Sequence, residues 1–438
     1  MQTQHKSWIK RAAIPVALTI AAATLAGCAT GAPATNEPTQ DPNAEIVVWG
    51  DATRQPAFEA YQAANPDVKL KFEAIDPSTY LSKIQLANRV GSGWPDVLFD
   101  PQPNDVASLQ SPLFNFTQNL DDLVPADVQK DFATENSLCK IDGHLYCLQN
   151  DLAQDVLWYN KPLLEEFGYS VPTTWDEYQE LGEKVAADHP GYLVGAAGST
   201  MFYEYLWSSG CPLQTVKSST EVVINTEDEK CTRVTSMLDP MLENGSVSRL
   251  GPFDPGFAKE AQAGKLLMLP AASWFGEYMF KPETGFHYPE GALAAAPMPL
   301  WDGEDTNWSG AQGGGIYVVS QHSANLKRAV EVAQFAATDS GYQTSSPAFP
   351  AYKPAAKAWL EKISSDPFYA EDPSAVLVDQ ASKINPGTAV TRYDANAAFT
   401  NTVSAAVSAG NSMSSAMPAL QSQLASLAAT AGYEVSSK

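Results

Sequence analysis

The chain's organisation turns on EIVVWGDATRQPAFEAYQAANPDVKLKFEAIDPSTYLSKIQLANRVGSGWPDVLFD, residues 45–100. EIVVW (45–49) is a short apolar run of the kind that forms a buried strand. QPAFEAYQAAN (55–65) has helical spacing, with Pro56 in its first turn and Asn65-Pro66 to end it. VKLKFEAI (68–75) alternates as a strand does, YLSKIQLANRVGSG is a helix stopped by glycines, and DVLF (96–99) is a third strand. The order β-α-β-α-β predicts a parallel sheet with helices on its faces. Such sheets bind ligands outside the carboxyl ends of their strands.

The alternation continues downstream. YLVGAA, LLMLP, ALAAAPMP and GIYVVS are further strand candidates. TTWDEYQELGEKVAADH opens with Thr174 and Glu177 at capping-box spacing. Residues 323–338, 373–384, 394–409 and 413–430 are predicted to be helical. With 438 residues, the chain exceeds one ordinary core, and two domains are expected.

The N-terminus has a different character. Residues 1–11 carry Lys6, Lys10 and Arg11 and no acid, and residues 12–26 are apolar or small. That run falls short of the roughly 20 apolar residues of a membrane span and describes a secretory signal peptide. TLAGCAT (24–30) resembles the bacterial lipobox, in which the cysteine is lipidated and becomes the mature N-terminus. Cys28 is therefore the expected lipid attachment point, residues 1–27 the lipoprotein signal peptide, and residues 28–43 a disordered tether of about 20 Å. The expected location is the extracellular face of the cell membrane.

Removing the signal leaves 24 basic against 50 acidic residues, a net charge of −26. Such a surface repels nucleic acid and disfavours anionic ligands, but not neutral ones. Four cysteines remain: Cys139, Cys147, Cys211 and Cys231. An even number in an exported chain suggests disulfides, with three possible connectivities. The local one, Cys139–Cys147 with Cys211–Cys231, is favoured. The first closes CKIDGHLYC, where Asp142-Gly143 signals a hairpin turn. A strict two-residue turn sets Cys139 opposite Tyr146, so a longer loop or a bulge is expected. The cysteine spacing fits no zinc pattern, and no metal or cofactor is expected.

From residue 142 the features become specific. DGHLYCLQNDLAQDVLWYNKPLLEEFGYSVPTTWDEY (142–178) resembles the strongest segment of the family 1 extracellular solute-binding proteins, which include the maltose- and oligosaccharide-binding proteins of ABC importers. The matching elements are Gly143, Tyr146, LWYNK (157–161), Gly168, Pro172 and TTWDE. EAQAGKLLMLPAASW (260–274), APMP (296–299), GGGIYVV (313–319) and SANLKRAVEVAQFAAT (323–338) follow in the family's order, and WPDVLFD (94–100) fits its earlier strand. Cys147 stands where members often carry proline, as a local disulfide would require.

The resemblance implies an α/β, two-lobed, periplasmic-binding-protein-like fold with a ligand cleft and three interlobe crossings. Lobe 1 would combine residues 44–152 and 300–340. Lobe 2 would combine residues 153–299 and 341–432. It also implies a monomer that delivers its ligand to ABC permease subunits. Trp274, in AASW, matches the family's stacking tryptophan. Tyr203 and Trp207 fit the helix that supplies aromatics, and Tyr393 fits a late loop that closes over ligand.

The residues offer matching chemistry on their own account. Sugars have apolar C–H faces and polar rims, so they need flat aromatics together with side chains that donate and accept. The chain has 10 Trp, 17 Tyr and 17 Phe. Asp51 and Asp100 fall at cleft-facing strand ends, and Gln102, Asn104 and Asn150 are candidate hydroxyl partners. Gly313 and Gly314 let backbone approach another group closely. VPTTWDEY reads as structural, with Trp175 packing inward. No nucleophile elbow, metalloprotease motif, P-loop or dinucleotide fingerprint is present. The expectation is a non-enzymatic protein that captures a neutral oligosaccharide. The alternatives are an exported carbohydrate hydrolase, and a surface adhesin or structural lipoprotein.

Overall fold

The structure, a computed structural model, describes residues 39–385 and 391–437. The expected signal peptide, Cys28 and residues 28–38 of the expected tether lie outside the described residues. Residues 39–43 are not a free coil as expected: the Gln40 side chain donates to the Ser323 carbonyl at 3.0 Å, and the Pro42 carbonyl accepts from Asn325 Nδ2 at 3.0 Å.

The opening stretch folds as its patterns demand. Strands β1 (Ile46–Gly50), β2 (Leu70–Ala74) and β3 (Val97–Asp100) lie in one sheet, with β1 parallel to both others. Val97, Leu98 and Phe99 are buried on both faces, as a central parallel strand requires. Helix Gln55–Ala64 carries Pro56 in its first turn and ends at Asn65. Helix Tyr80–Val90 stops at Gly91, which takes the left-handed conformation (φ 77°) that glycine alone adopts without a Cβ penalty.

The sheet is mixed, not wholly parallel as expected. Two later strands, β4 (Cys147–Gln149) and β8 (Ile316–Val319), complete it in the order β2-β1-β3-β8-β4, and β8 runs antiparallel to both neighbours. A second sheet is built around β5 (Asp155–Asn160), flanked antiparallel by β6 (Met268–Ala272) and β7 (Leu293–Ala296). The chain thus leaves the first sheet after Gln149 and enters the second at Asp155. It returns between Ala296 and Ile316. The two connections touch through the bridge Gln154↔Ala311, and a third segment joins them through Asp151↔Pro350.

One hydrophobic core runs from Ile46 and Phe99 through Tyr317 to Trp158 and Trp359. The other centres on Trp175, Tyr178, Leu238 and Leu424. Each fully buried large side chain contributes about 1.5–3 kcal/mol. Trp175 is fully buried, its ring within 5.1–5.5 Å of Tyr178, Tyr205 and Trp301. The capping box is present: Thr174 and Glu177 satisfy each other's backbone at the start of helix Trp175–Asp188.

Both local disulfides form, Cys139–Cys147 and Cys211–Cys231. The expected longer loop or bulge is absent at the first. Asp142 and Gly143, both at positive φ, make a strict two-residue turn, and the Tyr146 N–H donates to the Cys139 carbonyl. The bond is a diagonal one. Cys147 opens β4 just past the hairpin, with its Cα 4.9 Å from that of Cys139.

Candidate functional site

A cavity of about 500 Å³ lies where the carboxyl ends of β1, β3 and β6 converge with helix Phe202–Ser208 and the segment Ala311–Gly315. That size is typical of a small-molecule site. Its lining combines aromatic faces with groups that suit hydroxyls.

The aromatic wall begins two residues beyond β6. Trp274 is half-buried, and its indole N–H donates to the Gln312 carbonyl at 2.8 Å, which fixes the ring plane. Phe275, Phe253 and Tyr278 surround it, with centroids 4.3, 6.2 and 5.7 Å away. On helix Phe202–Ser208, Tyr203 and Trp207 are one turn apart and stack at 4.9 Å and 17°. Both line the cavity, and Phe399 packs 3.7 Å from the Tyr203 ring.

The polar wall follows β1 and β3. Asp51 caps the turn after β1, accepting from the Thr53 N–H, and sits 3.5 Å from Arg54 Nε. The Arg54 guanidinium lies 4.2 Å over Phe99. Burial works against its charge, but Tyr317, Tyr342 and the carboxylates of Asp51 and Asp151 outweigh it and hold Arg54 above its ordinary value. Gln102 and Asn104 line the cavity beyond β3, and Gln102 Oε1 accepts from Asn396 Nδ2 at 3.2 Å. Gln312 donates to Thr200 at 3.0 Å.

The glycine run gives the third side. Gly313 and Gly314 have φ of 99° and 83° and line the cavity. A Cβ on Gly314 would stand 3.3 Å from the Asp151 carbonyl, and one on Gly315 would stand 2.4 Å from the Phe99 ring. No side chain could pass the backbone so closely over the sheet.

Of the residues singled out from sequence, Trp274, Asp51, Tyr203, Trp207, Gln102, Asn104, Gly313 and Gly314 come together on this cavity. Three stand behind it. Asp100 is buried beneath the loop, where one carboxylate oxygen accepts from the Gln102 N–H and the other makes no hydrogen bond to protein. Burial, then Asp105, pushes its carboxyl well up. Asn150 is fully buried and bonded to Asp151 and Gln343. Tyr393 donates from its hydroxyl to Gln214 Oε1 at 3.0 Å, and Gln214 reaches the cavity in its place.

Lining residues missed from sequence include Arg54, Phe253, Tyr278, Gln312 and Asn396. Arg54 and Gln312 were findable as neighbours of Asp51 and of the glycine run. Phe253 sits in the turn signal GPFD (251–254). Nothing local marks Asn396.

Two buried carboxyls stand close to the helix that bears Tyr203 and Trp207. Asp155, the first residue of β5, and Glu204, on the helix that bears Tyr203 and Trp207, are both fully buried. Neither Glu204 oxygen makes a hydrogen bond to protein, and Asp155 has only the Gly310 and Gln312 backbone N–H groups beside it. Burial pushes Asp155 up to about 8. Burial, then Asp155, pushes Glu204 well up. Among the described residues, no cluster of three or more His, Cys, Asp or Glu is placed to hold a metal ion, and no helix is long and apolar enough to cross a membrane.

Residues 43–343 match the model of the bacterial extracellular solute-binding protein family. The chain belongs to that family. An arabinooligosaccharide-binding protein of Halalkalibacterium halodurans is 26% identical over 156 residues, 32% of this chain and 33% of the relative. An alpha-glucosides-binding periplasmic protein of Rhizobium meliloti is 29% identical over 174 residues, 37% of each. The chain thus aligns with about a third of the length of these curated relatives. The fold match is wider. The ABC transporter-associated binding protein of B. animalis subsp. lactis Bl-04, solved with beta-1,6-galactobiose, superposes with a TM-score of 0.74 at 21% identity. It covers 89% of this chain and 99% of its own. The galacto-N-biose/lacto-N-biose I-binding protein of Bifidobacterium longum, solved with lacto-N-biose, gives 0.74 at 19% identity, covering 91% and 100%. The architecture is that of the two-lobed binding proteins.

Proposed function

We propose that this solute-binding protein captures a neutral oligosaccharide between two lobes and hands it to an ABC transporter permease, tethered to the membrane through a lipid on Cys28. The observation that carries the reading is the cavity lining. Flat rings, Trp274 on one wall and the Tyr203–Trp207 pair on another, face Gln102, Asn104, Gln312, Asp51 and Arg54. Rings suit the C–H faces of sugars, and amides, a carboxylate and a guanidinium suit their hydroxyls. Asp51 sits 3.5 Å from the one nearby guanidinium, that of Arg54, so the site holds no net positive charge to attract an anion. The relatives named as binding arabinooligosaccharides and alpha-glucosides support the same class.

In this reading the lobes are residues 44–152 with 300–340, and 153–299 with 341–432, and the ligand shifts an open–closed equilibrium because it touches both only when they meet. The Gln102–Asn396 hydrogen bond is one contact of the closed form. The test is a thermal-shift screen of the full chain against neutral di-, tri- and tetrasaccharides, with chromatography of each sugar after incubation. A raised melting temperature with the sugar recovered intact supports capture. Shorter products favour a hydrolase, and no shift from any sugar favours an adhesin or structural lipoprotein.

A further inference from the structure

We infer that Phe253 and Tyr278 form an outer subsite, so that this protein selects saccharides longer than its enclosed cavity holds. The inference rests on the sugar-binding reading and extends it to chain length.

Two large aromatic side chains are exposed at one edge of the cavity, Phe253 at 62% and Tyr278 at 44%. Isolated exposed apolar residues need no explanation; contiguous ones beside a cleft mark a binding surface. These two are contiguous with each other through Trp274. The Phe253 ring lies 6.2 Å from it at 26°, its plane near parallel, and the Tyr278 ring lies 5.7 Å from it at 72°, edge-on. All three line the cavity, but only Trp274 is substantially covered. The apolar surface therefore continues outward from the cavity into solvent. A chain with one ring on Trp274 would lay its next ring against Phe253, with Tyr278 as the side rail.

The backbone beneath both rings is fixed. Phe253 sits in a turn closed twice, by the Asp254 N–H donating to the Gly251 carbonyl at 2.9 Å and by the Gly251 N–H donating to Asp254 Oδ2 at 2.6 Å. Tyr278 belongs to a π-helical turn, Gly276–Phe280, closed by the Lys281 N–H bonding to the Gly276 carbonyl at 3.1 Å. Such turns are rare and are frequent at functional sites. A fixed backbone means less of the chain has to be ordered when a ligand docks.

The experiment is calorimetric titration of the full chain with two matched series: maltose, maltotriose and maltotetraose, and the β-1,6-linked galacto-oligosaccharides of the same lengths. In the series that binds, the trisaccharide is expected to bind about ten-fold more tightly than the disaccharide, equivalent to about 1.4 kcal/mol. Phe253→Ala should erase that gain, so that disaccharide and trisaccharide bind equally, and Phe253→Tyr should restore it. Phe253 is exposed, so its truncation opens no core cavity, and an unchanged melting temperature confirms folding. Affinity that is flat with length in the wild type, or equal loss for disaccharide and trisaccharide in Phe253→Ala, overturns the outer subsite while leaving sugar capture intact. Binding of no member of either series counts against the sugar reading itself, and the subsite falls with it.

Discussion

Asp155→Asn converts the buried carboxyl pair into a quantitative test of the fold. Asp155 and Glu204 are fully buried, and the Glu204 carboxyl makes no hydrogen bond to protein. Burial raises Asp155 from 3.8 to about 8. The folded chain therefore keeps a proton that the unfolded chain gives up near pH 4. Stability from this group is fully present below the unfolded value and is lost as pH rises through the folded one. At 1.36 kcal/mol per unit, the loss between pH 5 and pH 8 is about 4 kcal/mol for Asp155 alone. Asp100, Asp105 and Asp151 are also held up, chiefly by burial, so the wild-type slope is steeper still. The carboxyls held low, among them Glu73 and Glu304, titrate below this window and leave it flat. The variant removes Asp155 and its electrostatic effect on Glu204 together. An amide mimics the protonated carboxyl, so the stability of Asp155→Asn relative to wild type should grow by about 4 kcal/mol between pH 5 and pH 8. Denaturant unfolding of the full chain at each pH reads this directly. Parallel stability curves for the two proteins across pH 5–8 would refute the argument.

Other expectations follow from single contacts. Trp274→Ala should cost about 2–3 kcal/mol of saccharide binding by calorimetry, together with about 1 kcal/mol of stability from its bond to Gln312; unchanged affinity removes its stacking role. Gly315→Ala places a Cβ 2.4 Å from the Phe99 ring in the sheet core and should lower stability by about 1–3 kcal/mol; an unmoved denaturation midpoint contradicts the packing. Tyr393→Phe frees Gln214 and should weaken saccharide binding by about 1 kcal/mol, or about five-fold; full affinity would leave Tyr393 as core alone. Cys28→Ser should move the protein from membranes to the medium or leave it unprocessed, and unaltered fractionation argues against the lipid anchor.

What could be read in advance were the features with short-range causes. Thr174 and Glu177 announce a capping box because the motif is complete within four residues, and Asp142-Gly143 announces a turn for the same reason. The β-α-β-α-β order fixed the parallel pairing of β1, β2 and β3. GIYVVS shows a buried strand but not its direction, since the same apolar run serves either pairing. The antiparallel seat of β8 between β3 and β4 is decided by where the chain returns.

The site divides along the same line. Asp51 and Gln102, picked out at strand ends, line the cavity, whereas the orientation of Asp100, whose carboxyl accepts from the Gln102 N–H, could not be read from sequence. Tyr393 fell one layer behind Gln214. With 50 acids in the chain, nothing in its order distinguishes the pair Asp155 and Glu204, which only the fold brings within electrostatic reach of each other. Phe253 and Tyr278 owe their meaning to the surface they share with Trp274, a property of three separated segments.

The central claim is reversible capture of an unaltered saccharide in the cavity beside Trp274. Equilibrium dialysis of the full chain against the saccharide that stabilises it most, followed by release and mass spectrometry of the sugar, tests it most directly. The account predicts one saccharide retained per chain and returned at its original mass. Retention of none, or recovery of shorter fragments, contradicts it.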